Sequence, residues 1–121
     1  MTIQTIRTCQ TQYAQKHDGK FALNFDELVK PGCLDADAFR GQKSVINGYV
    51  FETKTFESTK REPAFLITVD PKESKGFNKT GELHYYFDSV LGVIKATSED
   101  RQATPVDPWI QSLKFYSLFV L

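Results

Sequence analysis

What this 121-residue sequence lacks limits its chemistry before any motif is read. It has no excess charge of either sign, since 15 basic and 15 acidic residues cancel. No whole-chain field therefore draws it to nucleic acid or to an anionic membrane surface. It has no long hydrophobic run; none reaches the roughly 20 apolar residues that cross a bilayer as a helix. Its start is not a secretory signal either, because Thr2, Gln4, Thr5, Arg7 and Thr8 interrupt any apolar stretch. Cysteine is scarce. Cys9 and Cys33 are too few for a disulfide scaffold or for a zinc site built on cysteine pairs. The two histidines, His17 and His84, stand outside any H-E-x-x-H spacing, and neither a G-x-S-x-G elbow nor a glycine-rich phosphate loop occurs. The expectation is a protein that is not an enzyme and needs no cofactor.

What is present suits one aromatic-rich folded domain: 40% hydrophobic residues, with ten Phe and five Tyr. Ile3, Ile6, Cys9, Tyr13 and Ala14 recur at spacings of three and four, which predicts an amphipathic helix from Thr2 to Lys16 or His17. Lys16 and His17 suit its carboxyl end, and Gly19 offers a left-handed cap. That helix has a clear end and almost no beginning. Asn24 and Glu27 have capping-box spacing for a second helix with Phe25, Leu28 and Val29 on one side, stopped by Pro31-Gly32. The stretch "LDADAFRG" reads as another turn or two of helix with Leu34 and Phe39 inward.

After Gly41 the period changes to two. "NGYVFETKTF" predicts a strand, "ESTKRE" a hairpin loop, and "AFLITVD" a second strand with Phe65, Ile67 and Val69 on one face. A long polar loop, residues 70–82, leads to strands "LHYYFD" and "VIKAT", joined by a turn in which Gly92 takes positive φ. Residues 98–108 are polar and irregular, and the apolar tail 109–121 reads as a fifth docked strand. The fold class is α+β: helix 1–18, a helical connection 19–47, an antiparallel meander of four to five strands over 48–97, then loop and tail 98–121.

The ordered set "IRTCQTQYAQ", "GKFA", "LVKPGCLD", "KSVINGYVFE", "DPK", "TGELHYYFDSVLGVIKAT" and "QATPVDP" resembles type IV pilins and the related pseudopilins of type II secretion. The likeness spans residues 3–108 and rests on the order of the segments. The turn "DSVLG" is one residue longer than the usual one, and the tail has no counterpart. The resemblance implies a periplasmic or cell-surface filament subunit that assembles with other pilin-like chains. Its membrane contact would run only through an apolar anchor upstream of Ile3, which carries the peptidase site and the acidic assembly residue. The missing helix start is then explained by removal of that anchor, with Met1 an added initiator, or by a split pilin whose anchor is another chain. The first is favoured. The alternative function is a stand-alone extracytoplasmic module that binds a protein or glycan through its loops.

The candidate site residues are few. Ile3, Ile6 and Tyr13 form the assembly and packing face of the helix. Cys9 and Cys33 are a disulfide if the compartment is oxidising, tying the helix to the "PGC" turn; otherwise they are a buried thiol and an ordinary loop thiol. Glu99, Asp100 and Asp107 are hard oxygen ligands of the kind calcium takes, and pseudopilins bind calcium in this region. Their spacing fits no stated motif and Arg101 competes among them, so no metal is assigned. Tyr85, Tyr86 and Phe87 read as packing that alternates across a sheet with one covered face rather than as a base-stacking platform, and no nucleic-acid partner is expected. The loops 70–82 and 98–108 are the surfaces expected to meet neighbouring subunits.

Overall fold

A computed structural model describes residues 2–73 and 83–109. Helix α1 runs Thr2–Lys16, followed by a single-turn helix α2, Asp26–Val29. Five strands follow: β1 Lys43–Ile46, β2 Tyr49–Glu57, β3 Pro63–Pro71, β4 His84–Asp88 and β5 Ile94–Thr97. They form one antiparallel sheet in chain order, β1-β2-β3-β4-β5. A meander of this kind needs only short hairpins and leaves one face free for helices.

The helices lie on the face that carries Phe51, Phe65, Ile67, Val69, Tyr85 and Phe87, all buried. Ile3, Ile6 and Cys9 of α1 and Phe25 and Leu28 of the α2 region join them in one cluster. Arg7 reaches the same face, its guanidinium carbon 5.4 Å from the centre of the Phe87 ring. Phe21 packs edge-on to Phe65 at 4.8 Å, and Phe25 tilts against Phe39 at 5.1 Å. Burying each such side chain stabilises by roughly 1.5–3 kcal/mol, which makes this cluster the main source of stability.

Helix α1 stops where the chain turns left-handed at Asp18 and Gly19, with φ of 56° and 82°. The Gly19 N–H donates back to Ala14 O at 2.9 Å, closing the last turn. Only the first half of the predicted capping box forms around α2: the Glu27 N–H donates to Asn24 Oδ1 at 3.1 Å, while the Glu27 carboxylate instead meets Lys30 at 3.2 Å.

Three expectations are corrected. The sheet begins at Lys43, not at 48, because Asn47-Gly48 is a two-residue hairpin turn, with φ of 51° and 81°, that folds "KSVI" back on β2. "LDADAFRG" makes one hydrogen-bonded turn and no helix; Ala38 and Phe39 N–H both donate to Asp35 O, and Gly41 then leaves at φ 62°. Alternation across one covered face also fails for β4, where all five residues are buried. On the second face the polar row of Thr68, His84, Tyr86 and Asp88 is buried as well, and residues 98–109 meet this face through Gln102 at Asp70 and Asp100 at His84. Ala103 and Asp107 of that segment are themselves buried. The loop prediction for 74–82 and the strand prediction for 110–121 lie outside the described residues; Trp109 makes a single antiparallel bridge to Lys95 of β5. Among the described residues no helix is long and apolar enough to cross a membrane.

Candidate functional site

The predicted helix face divides in two. Ile3 and Ile6 are fully buried against the protein's own sheet, whereas Tyr13 is half-buried and stacks on His17, ring centres 3.7 Å apart. One further position lies on the stripe. Gln10 falls four residues after Ile6 and is 0% exposed. Its amide donates to Ala22 O at 3.0 Å and accepts the Ala22 N–H at 2.8 Å, copying a backbone ladder with a side chain. Both polar ends of Gln10 and both backbone groups of Ala22 are thereby satisfied inside the core, where an orphan would be costly.

Cys9 and Cys33 are joined as a disulfide, their Cα atoms 5.8 Å apart. The bridge fixes the middle of α1 to the turn after α2, on the side of the helix next to the Gln10 clamp. Beside it lies an open cleft of about 510 Å³, walled by Gln12, Tyr13, Lys16, His17, Lys30 and Pro31. The solvent face of α1 is rich in Thr and Gln. The Thr8 and Thr11 hydroxyls donate to Gln4 O and Arg7 O, each at 3.0 Å, so that face presents methyl groups as well as amides.

The opposite side of the sheet holds a polar layer. Residues 99–107 are organised by Arg101, which donates through Nη1 and Nη2 to the two carboxylate oxygens of Asp107 at 2.9 and 2.7 Å. Its Nε donates to Glu99 at 2.6 Å, and Asp107 also accepts the Thr104 N–H at 2.7 Å. The guanidinium thus occupies the middle of the acids weighed as calcium ligands, and its hydrogen bonds hold the Asp107 carboxyl well below the usual carboxylate range. Among the described residues no three acidic, histidine or cysteine side chains converge as a metal cage. Further along, burial first and the neighbouring Asp88 second hold the Tyr86 phenol above its ordinary range. Its hydroxyl donates to Asp88 Oδ2 at 2.7 Å. The other Asp88 oxygen accepts the Val90 and Leu91 N–H groups and shapes the β4–β5 turn.

His84 belongs to the same layer. It sits across from Asp70, one position beyond the Val69–Tyr85 pair, and its Nδ1 lies 2.6 Å from Asp70 Oδ1. Gln102 donates to the other Asp70 oxygen at 3.1 Å. Among the described residues the buried His84 Nε2 has no hydrogen-bond partner, and it faces Asp100 Oδ1 at 3.8 Å. No local pattern points to this grouping, since its members are far apart in the chain.

No family model, no curated protein and no solved structure matches the chain.

Proposed function

We propose that this chain is the head of a pilin-like or pseudopilin-like filament subunit, a non-catalytic protein that works by assembly. The observation that carries the reading is the way α1 is held. One face is packed on a five-stranded antiparallel meander and fastened by the Cys9–Cys33 bridge and the Gln10–Ala22 clamp. Its other face is a Thr- and Gln-rich surface without carboxylates. A helix so fixed is a rigid mount on which further helix-to-helix contacts can be made without burying a carboxylate. The ordered sequence likeness to pilins and pseudopilins supports the same reading. The loop 98–108 keeps an exposed rim, including Val106 at 92% exposure, for contact with a neighbouring subunit.

The second reading, an extracytoplasmic binding module, has the cleft beside the disulfide in its favour. The two are separated by following the natural gene product, tagged in the exposed loop at residues 58–61. Recovery in sheared or cross-linked fibres, lost when the prepilin peptidase is deleted, is the expected result. A product released as a free monomer whatever the state of the peptidase sinks the filament reading.

A further inference from the structure

We propose that the turn at residues 104–107 of one copy seats in the cleft at the carboxyl end of α1 in a second copy, a head-to-tail contact between unlike surfaces. The inference rests on the filament reading and deepens it by naming a contact. Thr104–Asp107 form a β-turn closed by the Asp107 N–H, which donates to Thr104 O at 3.1 Å, with Pro105 at its second position. The Asp107 carboxylate locks this turn by accepting the Thr104 N–H and hydroxyl and both Arg101 Nη groups. Turn tips are ordinarily polar. This one presents apolar groups: Val106 is 92% exposed and Trp109 54%, and Pro105 and Pro108 are exposed beside them. Single exposed apolar residues are ordinary, but such a group on a firmly held turn marks a contact surface.

The matching hollow is an open cleft of about 600 Å³ between the end of α1 and the β2–β3 hairpin. Phe21, Leu23, Phe56 and Pro63 give it apolar walls, and Leu23 is 65% exposed. Lys16 and Lys20 line it with Asp18, which leaves it net basic. The turn comes from a segment of opposite sign, since residues 98–108 carry Glu99, Asp100 and Asp107 against Arg101. Charge therefore draws turn to cleft and sets turn against turn and cleft against cleft. The two surfaces also lie at opposite ends of the sheet. Phe56 and Pro63 are at the hairpin end of β2 and β3, whereas Gln102 reaches Asp70 near the far end of β3. Along the strand those ends are roughly 23 Å apart. The cleft opens on the helix side, while segment 98–109 meets the outer face, so one pair of copies cannot make both contacts at once. The contact repeats from copy to copy and leaves an open end.

A contact of one turn is weak, so the test is NMR of the whole 121-residue chain, untagged, up to about 2 mM, around an expected Kd on the order of 1 mM. The Phe21, Leu23 and Val106 amides are expected to shift together as concentration rises, while diffusion slows without levelling off at a dimer. Both effects are expected to fade at high salt. Val106→Asp and Leu23→Glu change exposed positions, so each is expected to keep the parent spectrum elsewhere. Each is expected to weaken association about tenfold, the effect of losing one buried side chain of valine size. Mixed together, the two variants still offer one intact cleft and one intact turn. Labelled Val106→Asp is then expected to shift at Phe21 and Leu23 on addition of unlabelled Leu23→Glu, and growth stops at a pair. No shift over that range, a parent that levels off as a dimer, or a mixture that behaves like its separate components would each overturn the proposal. These outcomes are read on heads in solution, so they are independent of whether peptidase-dependent fibres form, which decides the filament reading.

Discussion

Gln10 and Asp107 carry more of the fold than their residue types suggest. Replacing Gln10 by Leu keeps the helix stripe apolar but leaves the Ala22 N–H and C=O buried without partners. Each orphan costs about 1–3 kcal/mol, so Gln10→Leu is expected to lower stability by about 3 kcal/mol. Urea unfolding checks this as a lower midpoint at unchanged slope. Its spacing four residues after Ile6 is a signal that could have found Gln10, but its partner Ala22 comes from a loop whose path no local pattern dictates. Asp107 yields a pH prediction. Its folded-state pKa is depressed by Arg101, so its stabilisation is complete above the ordinary carboxylate range and is lost as pH falls through that range toward the folded value. Asp107→Asn is therefore expected to lower the melting temperature at neutral pH and to flatten its decline in acid. A variant that melts like the parent at neutral pH would mean that the Arg101 clasp contributes nothing.

At the scale of elements, the tie between α1 and the turn after α2 is the one that chemistry can cut. The two cysteines are 24 residues apart. In the chain-entropy account, closing a loop of that size in the unfolded state stabilises the fold by about 3 kcal/mol. Reduction, or the double change of Cys9 and Cys33 to Ala, is expected to reduce stability by about that amount while the Gln10 clamp keeps α1 in place. Denaturation with and without reductant measures the difference, and two thiols titrating in the unreduced, denatured protein would refute the bridge. Elements were legible where a period ran long enough. The stripe of α1 and the alternation of β2 and β3 each cover several turns or pleats. Strand β1 has four residues, too few for a period, yet Asn47-Gly48 beside it is a strong hairpin signal that identifies the strand.

At the scale of the molecule, the sheet is covered on both faces by unlike layers. One is the apolar helix layer. The other is the polar segment 98–109, whose composition reads as solvated surface and so hid its role in the sequence. That segment also guards an edge. Strand β5 is last in the sheet, and its outer side is engaged by the Ala96 N–H bond to Pro108 O and by the Lys95–Trp109 bridge. An unguarded strand edge is a template for pairing with another chain. A chain ending at Thr97 would lose the guard and, with it, the Gln102 contact to Asp70 and the Asp100 carboxylate beside His84. It is expected to associate in a concentration-dependent way in sedimentation velocity, relative to a chain ending at Trp109. If it instead sediments as a folded monomer at every concentration, β5 does not need the guard, and residues 98–109 serve the outer face alone.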